Sequence, residues 1–147
     1  MRKPLRHEHT LPSKRPTPHE IVWQAFEYYS SLKKVASYRR EHPTESLTLA
    51  EAATIAGLER TYFSKFFRQK TGVNFKFWND LTRIDRAASR LLESDDSITK
   101  VAEDSGFETL ATFERTFYRI KGLMPKDWRR RTQELTKNSQ EVLKTSQ

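Results

Sequence analysis

Two strips of side chains, each spaced to share one face of a helix, carry the groups this sequence can offer to another molecule. In the first, Thr61, Ser64, Lys65 and Arg68 fall at i, i+3, i+4 and i+7, while Phe63, Phe66 and Phe67 turn to a core. In the second, Ala111, Thr112, Arg115 and Arg119 point away from the apolar stripe of Phe113, Phe117 and Ile120. Hydroxyl, ammonium and guanidinium groups on an exposed helix face can donate to base edges in a major groove. Arg and Lys are suited there to guanine O6 and N7.

Such strips need an element that presents them. A short apolar helix, a Gly turn and an amphipathic helix make a helix-turn-helix, and Ser97 to Arg129 fits that description around Gly106. Ile98, Val101 and Ala102 give the first of these helices its buried face. The pattern occurs twice. Ser97, Ile98, Val101, Ala102, Gly106 and Phe107 correspond, at an offset of 49, to Thr48, Leu49, Ala52, Ala53, Gly57 and Leu58. After the turn the offset becomes 50: Phe113, Arg115, Phe117, Gly122, Lys126 and Trp128 correspond to Phe63, Lys65, Phe67, Gly72, Lys76 and Trp78. The second copy therefore has one extra residue in or just after its turn. A repeat at this spacing marks a duplicated supersecondary unit.

The remaining segments hold the two units. Thr48 and Glu51 form a capping box for a helix to about Ala56; Glu59 to about Lys70 is the first reading helix, with Gly72 at C′. Asn74 to about Glu93 reads as a linker helix with the stripe Trp78, Leu81, Ile84, Ala88 and Leu91, widened by Leu92. Its length of ~30 Å is near the ~34 Å between major-groove faces one turn apart. Arg83, Arg86 and Arg90 lie along one side of it; phosphate contact and a solvated face both fit them. Ser97 caps the second unit, and Pro125 opens a last short helix to about Thr132. Upstream, His19 to about Arg40 reads as one long helix with the stripe Val22, Phe26, Tyr29, Leu32 and Ala36, stopped at His42-Pro43. Its aromatic residues Trp23, Phe26, Tyr28 and Tyr29 fit core packing, which is favoured, or a partner or dimer surface.

The expected division is thus 1–18 a disordered basic arm, 19–73 the N-terminal helix and first unit, 74–93 the linker, 94–132 the second unit and closing helix, and 133–147 a polar, fraying tail. The arm is either a solvated tail or a further phosphate contact. The fold class is all-α, with about seven helices in two helix-turn-helix subdomains.

Composition agrees with this picture and excludes others. The 147 residues carry a net charge of +8 with a pI of about 9.8, as nucleic-acid binders often do. No Cys is present, which excludes disulfides, thiolate zinc sites and thiol catalysis. No apolar run is long enough to span a membrane. His7 and His9 are spaced like a metal pair but stand in the Pro-rich arm with no third ligand nearby. No phosphate loop or nucleophile elbow is present, so no catalytic residue, metal or cofactor is expected.

These residues resemble the DNA-binding domain of the AraC/XylS family of bacterial transcription regulators. The resemblance covers about Leu32 to Arg130 and is most specific in "LLESDDSITKVAEDSGFETLATFERTFYRIKGLMPKDWR". There the family's Ile, Ala, Gly-Phe, Phe-x-Arg-x-Phe, Gly, Pro and aromatic-Arg are in place. The first unit matches at Leu47, Leu49, Gly57, Tyr62, Phe67, Thr71-Gly72, Arg83 and Ala87. The resemblance implies a sequence-specific regulator whose two readers enter adjacent major grooves of promoter DNA. Carried over residue by residue, base reading falls to Thr61, Ser64 and Lys65 in the first helix, and to Leu110, Ala111, Thr112 and Arg115 in the second. Phosphate contact is expected of Arg68, Arg83, Arg86, Arg90 and Arg119. RNA polymerase, and a protein docking on the aromatic N-terminal helix, are the further partners considered. The expected location is the bacterial cytoplasm, on the nucleoid.

The sequence departs from the family pattern at several places. Leu110 and Ala111 cannot hydrogen-bond a base, Glu114 stands beside Arg115, Tyr118 replaces a usual Lys, and Arg39 falls where an apolar residue is normal. About 30 residues precede the matching region, too few for the sensor barrel many members carry. The chain is accordingly expected to be a sensor-less regulator or a fragment. A weakly specific architectural DNA binder and a protein-interaction adaptor are the rival functions.

Overall fold

Four phenylalanines, Phe63, Phe67, Phe113 and Phe117, are wholly buried, and one pair anchors each of two cores. The computed structural model describes residues 17–146. The readings made of residues 1–16, the basic arm and the His7–His9 pair, lie outside the described residues. The described residues form a 3-10 turn, Pro18–Glu20, and eight α-helices, with no strand. The helices are α1 (Ala25–Tyr28), α2 (Ser30–Glu41), α3 (Leu49–Ala56), α4 (Arg60–Thr71), α5 (Phe75–Glu93), α6 (Ile98–Asp104), α7 (Leu110–Lys121) and α8 (Pro125–Thr145).

The duplication is visible helix by helix. α4 and α7 start and end 50 positions apart, each closed by a left-handed Gly, Gly72 and Gly122. α5 and α8 start 50 apart, at Phe75 and Pro125. The caps of α3 and α6, Thr48 and Ser97, are 49 apart. The extra residue lies after the turn glycine: Leu58-Glu59 lead into α4, whereas Phe107-Glu108-Thr109 lead into α7.

α5 belongs to both cores. Phe75, Trp78 and Leu81 pack in the first; Ile84, Ala87, Ala88 and Leu91 pack in the second. Ile120 of α7 touches both. Apolar burial is worth ~1.5–3 kcal/mol per large side chain, so this continuous stripe gives neither unit an independent core boundary. Leu92 stands outside the stripe at 44% exposure, since it lies 100° around the helix from the buried Leu91.

Two expectations fail at the ends of the chain. The single helix expected from His19 to Arg40 is broken. Tyr29, with ψ 118°, separates α1 from α2, and Ile21 is extended. The extended backbone at Ile21 lets the Val22 amide donate to the Thr71 carbonyl at 2.8 Å, fastening this segment to the end of α4. Register shifts with it: Ile21 and Val35 are buried where Val22 and Ala36 were expected, and Val22 is 48% exposed. At the other end, the expected short helix and fraying tail form one helix to Thr145. Nothing after Pro125 is Gly or Pro, and polar composition alone does not stop a helix.

Gly106 takes φ +81°, and a Cβ there would sit 2.7 Å from the Thr44 carbonyl oxygen; Gly57 takes φ +73° with nothing within 4 Å. Both substitutions incur the left-handed cost of ~1–2 kcal/mol. Only Gly106 adds a backbone collision. Gly106→Val should therefore lower stability by ~3 kcal/mol or more, and Gly57→Ala by only ~1 kcal/mol, in urea melts. Equal losses would show that the close approach to Thr44 is not a constraint.

Candidate nucleic-acid interface

Each reading helix begins with a cap that fixes its first turn. The Glu59 carboxylate accepts from the Thr61 and Tyr62 amides, both at 2.9 Å. Those backbone N–H groups, the Thr61 one first, hold its carboxyl below the ordinary glutamate range. In α7, Thr109 Oγ1 accepts from the Thr112 amide at 3.1 Å and lies 2.8 Å from Thr112 Oγ1. Satisfying first-turn amides stiffens the end of the helix that a groove would meet.

The structure places the strips as follows. Thr61, Lys65 and Arg68 are exposed along α4, and Ser64 is half-buried. On α7, Leu110, Ala111, Thr112 and Arg115 are exposed, Leu110 at 38%. Phe63 and Phe67, like Phe113 and Phe117, pin the opposite face of each helix. Among the described residues no ion pair within 4 Å joins Glu114 to Arg115, as expected of neighbours that point 100° apart on a helix.

Of the arginines expected at phosphates, Arg68 and Arg86 are exposed, whereas Arg83, Arg90 and Arg119 are engaged by protein groups. Arg83 donates to the Ser105 carbonyl at 3.2 Å and to the Gly106 carbonyl, and its guanidinium carbon lies 4.1 Å from the centre of the Phe107 ring. It thus clamps the turn of the second unit onto α5, and burial lowers its pKa. Arg90 pairs with Asp96 at 2.8 Å and Asp104 at 3.2 Å. Arg119 meets Asp80 at 2.9 Å, and Lys76 meets the same carboxylate oxygen at 2.9 Å.

Asp80 was not singled out in the sequence. Its side chain is only 10% exposed, and through Arg119 it ties α7 to α5; Lys121 adds a second tie to Asp85 at 2.8 Å. Nor did the sequence reveal what Arg39 does. It is 4% exposed and donates to Asn79 Oδ1 at 2.8 Å, to the His42 carbonyl at 2.6 Å and to the Glu45 carbonyl. Asn79 in turn donates to the Leu47 carbonyl. The available signal was the polar pair Asn79-Asp80, which follows Trp78 within the linker stripe.

A family profile described as a helix-turn-helix domain matches residues 52–131, which run from α3 into α8 and include both reading helices. The chain belongs to the AraC-type helix-turn-helix family. An uncharacterized HTH-type transcriptional regulator of Staphylococcus aureus is 34% identical over 109 residues, covering 74% of this chain and 15% of that protein. The regulatory protein PocR of Salmonella typhimurium is 29% identical over 136 residues, 92% of this chain and 41% of PocR. The chain therefore spans less than half the length of either relative.

Solved AraC-type relatives share the architecture. The DNA-binding domain of AdpA, a global transcriptional factor crystallised with a target DNA, superposes with a TM-score of 0.64 at 29% identity, over 67% of this chain and 89% of that one. The C-terminal domain of AraT, a response regulator from Geobacillus stearothermophilus, gives 0.65 at 26% identity, over 69% and 84%. Among the described residues no helix is long and apolar enough to cross a membrane.

Two outcomes test this geometry. Asp80→Ala should lower stability by ~1–2 kcal/mol in urea unfolding, less than for a fully buried pair because Arg119 is partly exposed. An unchanged midpoint would show that the Asp80–Arg119 contact does not hold α7. The Glu59 carboxyl, depressed when folded, stabilises α4 above the unfolded glutamate pKa of ~4.3, and this contribution is lost as pH falls through the lower folded value. Accordingly the Thr61 and Tyr62 amide shifts should titrate below the ordinary glutamate range in the parent and stay flat in Glu59→Ala, which should be less stable at neutral pH and equal to the parent in acid.

Proposed function

We propose that this chain is a sequence-specific DNA-binding transcriptional regulator that inserts α4 and α7 into adjacent major grooves of promoter DNA. The observation that carries the reading is the pair of capped, exposed reading helices fixed to one shared helix. α5 has 19 residues, ~28 Å at 1.5 Å each, close to one turn of duplex. The co-crystallised AdpA domain supports a duplex as the partner of this fold. The net charge of +8 supplies long-range attraction to phosphate.

In this reading Thr61, Ser64 and Lys65 contact bases from α4, and Leu110, Ala111, Thr112 and Arg115 from α7. Arg68, exposed and free of ion pairs among the described residues, is the better phosphate ligand. Arg83, Arg90 and Arg119 act by holding the units in place. RNA polymerase is the further partner consistent with a promoter-bound regulator, whose place is then the bacterial nucleoid.

Unlike readers on a rigid spacer require one asymmetric site. Selection from a random-sequence library should return a non-palindromic site covering two consecutive major grooves; a palindrome, or a site confined to one groove, contradicts the reading. Within that site Lys65, flanked by polar Thr61 and Ser64, should define its half more sharply than Arg115, flanked by Leu110 and Ala111. Lys65→Ala should relax one or two base pairs by about tenfold, ~1.4 kcal/mol, and Arg115→Ala should weaken binding with a smaller loss of discrimination. Binding that follows salt but not sequence would instead mark an architectural protein, and absence of DNA binding an adaptor.

A further inference from the structure

A cavity of about 390 Å³ opens between α1, α2 and the middle of α5, apart from the base-reading strips. Its size falls within the ~300–1,000 Å³ usual for small-molecule sites. Phe26 and Trp78, stacked with centroids 5.2 Å apart, form an apolar wall that Trp23 extends, 6.1 Å from Phe26. Trp23 remains 48% exposed. Arg39 and Arg83 line the cavity from α2 and α5, and the exposed Arg40 and Arg86 stand at its rim.

The charge in this cavity is one-sided. Among the described residues no acidic side chain lines it. Arg39 is 4% exposed, and among the described residues its Nε–H has no hydrogen-bond partner. Burial, and then the neighbouring Arg83 charge, lower the Arg39 pKa, while Tyr38 and Glu45 offset this from outside the lining. Arg83 is likewise lowered by burial, offset by Asp80 and Glu108, which also lie outside. Desolvated cations of like sign beside an apolar wall are stabilised by an anion that brings its own apolar surface.

We infer that this cavity binds a small organic anion, a carboxylate with an aromatic or alkyl body. The body lies against Trp23, Phe26 and Trp78. The carboxylate meets the Arg40 and Arg86 guanidinium groups, whose planar forks match it, with the field of Arg39 and Arg83 behind them. Because both α2 and α5 line the cavity, an occupant bridges the N-terminal segment and the helix that carries the two units.

The protein holds its own control for the test. Of its three tryptophans, Trp23 and Trp78 line the cavity, whereas Trp128 packs on Phe117 in the second core. The full chain is titrated with 4-phenylbutyrate and, separately, with neutral 4-phenylbutanol, and the three indole N–H signals are followed by NMR. The carboxylate should shift the Trp23 and Trp78 signals saturably and leave Trp128 in place, with the alcohol about tenfold weaker. Arg40→Ala and Arg86→Ala, both at exposed positions, should each weaken the carboxylate about tenfold while leaving the alcohol response and the melting temperature unchanged. No saturable shift, equal response to acid and alcohol, movement of all three indoles, or full affinity in both variants would each overturn the inference. So would a short unrelated DNA duplex that shifts the same two indole signals by itself, since the arginines would then be phosphate contacts.

Discussion

Burial of one continuous apolar face on α5 is the constraint on which the rest of the molecule depends. The first half of that face closes one core with Phe63, Phe67 and Val73, and the second half closes another with Phe113, Phe117 and Val101. Neither core is complete without the shared helix. Two short helix-turn-helix units, each too small to bury enough apolar area alone, become a single body because α5 cannot leave either one. Fixed geometry between α4 and α7 follows from that packing, and a reader of two grooves needs such geometry.

Polar contacts refine what the cores impose. α7 is tied to α5 by Arg119–Asp80 and Lys121–Asp85, whereas the repeat counterparts on α4, Gln69 and Thr71, make no such pairs. Thr71 is buried instead, and its hydroxyl donates to the Phe67 carbonyl at 2.7 Å, with the Val73 carbonyl 3.0 Å away. The two copies thus solved the same packing problem differently after duplication. The first relies on aromatic contact, with Phe26, Phe67, Phe75 and Trp78 mutually packed, and the second adds ion pairs.

Arginine shows how environment assigns a role that residue type leaves open. Arg83 and Arg86 lie three positions apart on α5 and look alike in the sequence. One folds back on backbone carbonyls and a Phe ring; the other stays exposed at the rim of a cavity. Arg39 breaks an apolar stripe, yet its Nη1 and Nη2 groups replace water with the carbonyls of His42 and Glu45 and the Asn79 amide oxygen, which offsets part of the cost of burying it.

The sequence by itself determined the repeat, the two turns at Gly57 and Gly106, the caps at Thr48 and Ser97, and the outward strips on the reading helices. All of these rest on local spacing: a 3.6-residue period, a left-handed residue or an N-cap three positions from its partner. The family resemblance was legible for the same reason. The tertiary structure decided what depends on distant partners. The extended backbone at Ile21 goes with a Val22 amide that meets Thr71 at the far end of α4. Asp80 meets Arg119 across 39 positions, Arg39 meets Asn79 across 40, and Arg83 meets Gly106 across 23. No periodicity in one segment carries the position of another, so which arginines face solvent and which hold the fold became known only when the helices were packed.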